Sequence, residues 1–148
     1  MWNLLPHERL RSWQEFRNNL SNLDLASACY QTEHLWSYAP YVQNYLHFDY
    51  VDEWPNPWEL LYDNYYCGLA KALAIVYTLY LSSHKPQIEI RVYNDPSTME
   101  QYNLVYVDKG KYVLNYIHDE VVNSTQVSKQ LVLKRTINTE ELKLEQLV

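Results

Sequence analysis

Glycine is nearly missing from this chain: Gly68 and Gly110 are the only two in 148 residues. No glycine-rich phosphate loop can be built from them, which excludes the dinucleotide fingerprint and the P-loop. Cysteine is as scarce, with Cys29 and Cys67 alone, so there is no disulfide framework. His7, His34 and His47 are scattered singly and show no ligand spacing with Cys29. Neither a metal site nor a cofactor is therefore expected. Basic residues are outnumbered, 12 Lys and Arg against 18 Asp and Glu, for a net charge of −6. A protein that grips nucleic acid non-specifically needs the opposite balance. Long apolar runs are absent too. Lys71 interrupts the best one and Ser82 closes it, so no membrane span is expected. The first residues, MWNLLPHERLRSW, lack the basic region, apolar core and cleavage site of a signal peptide. A soluble, intracellular protein is the expectation, not one secreted by a signal peptide.

Aromatics are what the chain has in excess: 15 Tyr and 5 Trp. Such side chains carry large area with a polar handle and suit core margins and interfaces alike. The organising stretch is WPNPWELLYDNYYCGLAKALAIVYTLYL, from Trp54 to Leu81. Asn56-Pro57-Trp58-Glu59 reads as a helix start with a capping box, and Asp63-Asn64 as its stop. A second helix is expected from Tyr65 or Tyr66 to Ser82, with Leu69, Leu73, Val76 and Tyr80 at helical spacing. Its wide apolar stripe places it deep, against a sheet. Cys67 falls in its expected first turn, where unpaired N–H groups and the helix dipole favour a thiolate.

Before this stretch, Pro6 to Leu20 reads as one helix and Leu23 to about Trp36 as a second, capped by Ser21-Asn22. Together they are expected to form a helical hairpin. Residues 37–53 fit a short helix or extended chain equally well. After it, Ile88 to Tyr93 alternates as a half-buried strand. Tyr102–Val107 and Lys111–Tyr116 are two more, joined by a tight loop at Asp108-Lys109-Gly110. Val121-Val122 begins a further short strand, and Asn123 to Lys129 is polar and linker-like. Leu131 to Ile137 reads as a strand or an extended arm, and Asn138-Thr139-Glu140-Glu141 as the cap of a last helix through Leu147. Helices first and hairpins after define an α+β domain over residues 1–122, followed by a C-terminal extension or arm over 123–148.

A cysteine opening a buried helix, followed by two hairpin-linked strands, resembles the transglutaminase-like cysteine hydrolases over roughly residues 54–118. Trp54, Pro57, Glu59 and Leu61 echo the segment W-x-x-P-x-E-x-L that precedes the family's cysteine, and Cys67 takes the cysteine's place. The resemblance implies a transglutaminase/papain-like fold, with N-terminal helices and the cysteine-bearing helix packed on an antiparallel sheet. It also implies a histidine at the start of the first hairpin strand, where this chain has Tyr102, and an acid in the second, where it has Asn115. A thiol needs a neighbouring base to take its proton, and a phenol with a pKa of about 10 does not serve near neutrality. His84 lies at the far end of the central helix. His118 is the better candidate for a substitute base, giving Cys67, His118 and Asn115 as the set if the protein is active.

The expected reading is a non-catalytic structural or assembly protein on a degenerate site of Cys67, Tyr102 and Asn115. The chain is also similar to small proteins carried by tailed bacteriophages, in which WP-x-PW near a tyrosine-rich helix and a VLN-type strand recur. That similarity implies a virion component of the neck, tail or capsid, found in the virion or the host cytoplasm. Its partners would be other virion proteins or copies of itself. Leu131-Val132-Leu133, with Lys134-Arg135, is a segment able to add to a partner's sheet edge. The alternative is an active cysteine hydrolase or transglutaminase using Cys67. A third reading is a carbohydrate-binding module built on Trp54 and Trp58.

Overall fold

The computed structural model describes residues 1–147. Helix α1, Pro6–Leu20, starts where proline occupies the first turn and Glu8 reaches back to the Leu5 N–H. Helix α2, Leu25–Ser37, starts later than the sequence pattern indicated. Its cap is Asp24, whose carboxylate accepts the Ser27 N–H at 2.7 Å, while Ser21 and Asn22 are spent closing the turn after α1. Helix α3, Pro57–Asp63, carries the expected capping box: Asn56 Oδ1 accepts the Glu59 N–H at 2.8 Å, and Glu59 Oε1 accepts the Asn56 N–H at 3.1 Å. Asn64 then ends the helix in the left-handed region, at φ 59°.

Helix α4, Gly68–Tyr80, is the central element, and all but a few of its residues are buried. It begins later than expected because Tyr66 is already committed elsewhere. The Tyr66 N–H donates to Pro40 O at 3.1 Å, and its carbonyl accepts the Val42 N–H at 3.0 Å. That bridge holds Tyr66 extended, and Cys67 becomes the residue that caps the helix rather than part of its first turn. Residues 37–53 are otherwise irregular, apart from a 3-10 turn at Val51–Glu53. The helices α1 and α2, expected as a hairpin, spend their apolar stripes elsewhere: α1 packs on α3, and α2 on α4.

Five strands follow: β1 Ile88–Asn94, β2 Gln101–Val107, β3 Tyr112–Ile117, β4 Glu120–Val122 and β5 Val132–Asn138. They lie in the order β4-β3-β2-β1-β5, every neighbouring pair antiparallel. The loop between β2 and β3 holds Asp108, Lys109 and Gly110 all at positive φ, and a Cβ on Gly110 would stand 2.9 Å from Ser124 Cβ. Glycine is required there both by conformation and by space. One face of the sheet, with Ile90, Val92, Val105, Val107, Leu114 and Ile137, packs on the helices in the main core. The other face, with Tyr93, Leu104, Tyr106 and Val113, is covered by the connection from β4 to β5, which buries Val127. This is why β2 is buried on both faces.

The segment read as linker and arm therefore has its own structure. Asn123 caps a 3-10 turn at Ser124–Gln126, and β5 pairs with β1 from Glu89 to Asn94. Leu131 to Arg135, read as a segment for a partner's sheet, lies beside the chain's own β1 or leads into it. The expected last helix is instead a 3-10 turn, Leu144–Leu147. Lys143 takes φ 53° and breaks the α-helical path, and Leu144 is drawn into the main core.

Candidate functional site

The site is built around the start of α4. Cys67 is fully buried, and among the described residues its sulfur has no hydrogen-bond partner. What covers it is the irregular chain after α2. Tyr41 and Val42 run beside Tyr66, and the Tyr45 hydroxyl donates to Tyr65 O at 2.9 Å. Burial first, and the neighbouring Cys67 second, hold the Tyr45 phenol above its ordinary pKa. Beneath, Tyr66 meets the Trp36 and Trp2 rings edge-on at 5.0 and 5.7 Å.

Strand β2 faces this point with Asn103, not with Tyr102. Side chains alternate along a strand. Tyr102 shares its face with Leu104 and Tyr106, on the side of the sheet away from α4, where it lies 6.0 Å from the Tyr116 ring. Asn103 shares its face with Val105 and Val107, on the helix side, and its Nδ2 lies 3.1 Å from where a Cβ on Gly68 would stand. Tyr102, where the family resemblance expects a histidine, thus points away from the helix start, and its neighbour Asn103 points toward it. The sequence signal for this was faint: in QYNLVYV both faces carry tyrosine or aliphatic residues, and only the lone asparagine is out of place.

Strand β3 contributes Asn115. A register shift between Val113 and Ile117 puts Asn115 at φ 64°, and this bulge turns its side chain toward α4. Its Nδ2 donates to Gly68 O at 3.1 Å and to Asn103 O at 2.8 Å, tying β2 and β3 to the helix start. Its own N–H donates to Glu33 Oε1 at 2.6 Å. Glu33 is a residue the sequence reading passed over. It is an acid on the apolar stripe of α2, buried and also accepting the Ser37 hydroxyl proton. Burial pushes the Glu33 carboxyl above its ordinary pKa against the pull of those hydrogen bonds. Lys71, one turn into α4, is half-buried, and burial lowers its pKa.

His118 is not part of this arrangement. Its ring is exposed and packs edge-on against Tyr38, at the end of α2, at 5.1 Å. His84 Nε2 is 2.9 Å from Leu20 O, at the other end of α4. Cys29, in α2, is also buried, and burial with the charge of Asp108 pushes its thiol up to about 12. Trp54 donates its indole N–H to His47 O and packs against the main core, while Trp58 is exposed. Among the described residues no group of three or more His, Cys, Asp or Glu gathers to hold a metal, and no helix is long and apolar enough to cross a membrane.

The chemistry available is set by a buried sulfur and by two carboxamides that meet the helix at the next residue, Gly68. A carboxamide donates and accepts hydrogen bonds but takes no proton at neutral pH. The helix start offers N–H groups to a developing negative charge.

Neither a family model nor a curated protein matches the chain. Three solved structures of Legionella pneumophila LapG do, one of them EGTA-treated and one calcium-bound. They superimpose with TM-scores of 0.72–0.73 at 12–13% identity, covering 90% of this chain and 74–76% of theirs. LapG is a transglutaminase-like protein of the cysteine protease fold. The chain has the transglutaminase-like fold, an α+β arrangement of helices packed on a five-stranded antiparallel sheet.

Proposed function

We propose that this chain is a non-catalytic structural or assembly protein on the transglutaminase-like fold. Its place is in a tailed-bacteriophage particle, at the neck, tail or capsid, among other virion proteins or copies of itself. The observation that carries the non-catalytic half is the environment of Cys67: a fully buried sulfur with no hydrogen-bond partner among the described residues, next to Gly68, on which Asn103 and Asn115 converge. A working thiol needs access and a base, and this arrangement offers neither. The assembly half rests on the resemblance of the WP-x-PW segment, the tyrosine-rich helix and the VLN-type strand to small tailed-phage proteins, and on the surface. Tyr30, Tyr38, Tyr41, Tyr50 and Tyr62 are each more than half exposed. Exposed tyrosines at this density favour protein contact, since they bury large area with little loss of rotamer freedom.

Mass spectrometry of purified particles tests the placement, and size-exclusion chromatography with light scattering tests self-assembly. The chain is expected in the particle at fixed stoichiometry, or as a defined oligomer. Absence from particles together with a monomer that binds no virion protein overturns the assembly role. Turnover of a peptide or glutamine amide that disappears in Cys67→Ala overturns the non-catalytic half in favour of a cysteine hydrolase or transglutaminase.

A further inference from the structure

Three clefts run one into the next across the surface where α1, α3 and the C-terminal turn meet. The first, of about 600 Å³, lies between one stripe of α1, Trp58 in α3, and Leu147 of the turn. It shares Leu147 with a second cleft, and the second shares Asp52 and Glu141 with a third, of about 450 Å³. The two ends of this face carry opposite charge.

The first cleft is the basic end. His7, Arg11 and Arg17 line it at helical spacing, and no carboxylate lines it, in a chain with 18 Asp and Glu. The acids nearby are otherwise placed. Glu8 and Glu59 accept the N–H groups of Leu5 and Asn56 at helix starts, and Glu15 is exposed outside the lining. Neither arginine has an ion pair among the described residues. Arg17 is half-buried, with its guanidinium 4.2 Å from the centre of the Trp13 ring, which holds the planar fork in place. Its Nε is sealed from solvent and has no acceptor, so the fork's outer nitrogens are the ones open to a partner. Burial lowers the Arg17 pKa, and no neighbouring anion offsets it. A half-buried charge left unpaired is costly, and an anion supplied from outside the chain relieves that cost.

The third cleft is the acidic end. It gathers five carboxylates against Arg135 and Lys143. Arg135 pairs with Asp49 and Glu141, and Lys143 with Asp52. Glu53 and Glu140 are exposed and have no cation among the described residues. Trp58 and Tyr50 lie on the same face, 44% and 58% exposed. Trp, Tyr and Arg are the side chains that carry most of the binding energy of protein interfaces.

We infer that this face is a two-fold interface between two copies of the chain, with the basic cleft of each seated against the acidic cleft of the other around Trp58 and Leu147. A two-fold contact sets one end of a patch against the opposite end of its twin, so a face positive at one end and negative at the other complements itself. A polyanion such as nucleic acid would meet the acidic end with the same face, and the net charge of −6 repels it. The interface rests on the assembly role proposed above and names the partner in it.

Sedimentation velocity with light scattering on the full chain tests it. A concentration-dependent dimer is expected, with a dissociation constant that rises about tenfold or more between about 50 and about 500 mM NaCl. Arg11→Glu with Arg17→Glu makes both ends acidic, and Glu53→Lys with Glu140→Lys makes both ends basic. Each double variant is expected to be monomeric alone, and an equimolar mixture is expected to return a dimer and stop at two chains. His7→Glu with Arg11→Glu reverses the same end through exposed side chains only, should replacing the stacked Arg17 perturb folding. A native chain that stays monomeric, a dimer indifferent to salt and to the reversals, or a mixture that stays monomeric overturns the inference. So does a mixture that grows past two chains, which marks a head-to-tail contact. A monomer that is nonetheless found in purified particles defeats this interface and keeps the assembly role. A dimer absent from particles keeps the interface and defeats the placement in the particle.

Discussion

The two ends of α4 handle polar groups in opposite ways. Toward its C-terminus, the Thr78 hydroxyl accepts the indole N–H of Trp13 and of Trp36, each at 3.0 Å, and donates to Ala74 O at 2.7 Å. Every polar atom in that cluster is used, and the result ties α1 and α2 to α4. At the N-terminal end, the Cys67 sulfur, the Asn103 amino group and the first helical N–H groups have no partner among the described residues. Both ends are buried and both hold aromatic rings. A closed network specifies a packing arrangement, and the groups at the start of α4 take no part in one.

That contrast predicts a ranking of substitutions. Thr78→Val keeps the shape but strands two buried indole donors, and denaturant unfolding is expected to show a loss of about 3 kcal/mol. Glu33→Ala at the open end leaves the Asn115 N–H without its acceptor and is expected to cost about 2 kcal/mol by the same measurement. Cys67→Ala removes one buried sulfur that bonds to nothing and is expected to cost about 1 kcal/mol. Tyr102→Phe alters the far face of the sheet and is expected to stay within about 0.5 kcal/mol. An effect of Tyr102→Phe as large as that of Glu33→Ala contradicts the assignment of faces.

Glu33 also sharpens the comparison through pH. Its carboxyl is held above the ordinary value of 4.5, chiefly by burial. The folded chain therefore binds this proton more tightly than the unfolded chain does, and stability from this group falls as pH rises from 4.5 toward the raised value. Glu33→Gln is expected to abolish that slope while leaving the slope from the other carboxylates in place. Urea midpoints of the two proteins across the acid range check it; parallel curves contradict it.

Local chemistry was legible in the sequence and parity was not. Asn56-Pro57-Trp58-Glu59 signals a cap through groups that lie within one turn of each other, and it forms as read. Strand β1 follows from alternation, and the β2–β3 hairpin from Asp108-Lys109-Gly110 between two apolar runs. Cys67 was identified from its helix start, yet its role as the cap depends on Tyr66 pairing with Pro40 and Val42, a contact more than twenty residues distant. Whether Tyr102 or Asn103 faces α4 is a question of strand register against a helix, and the apolar pattern of β2, buried on both sides, does not distinguish the two. Glu33 was hidden because an acid on an apolar stripe has meaning only once the Asn115 N–H is known to meet it. The last turn misled for a local reason: a sound cap at Asn138 is followed by Lys143 in the left-handed region, a conformation no pattern of apolar residues foretells.

The non-catalytic reading turns on a sealed, unassisted Cys67, and the alkylation rate of that thiol probes it. The native chain is treated with iodoacetamide at neutral pH, and Cys67 and Cys29 are resolved by peptide mapping. Cys67 is expected to react at least about a hundredfold more slowly than in the denatured chain, as a buried thiol without a base does. A native Cys67 that reacts faster than the denatured one contradicts it, because only an accessible, activated sulfur behaves that way.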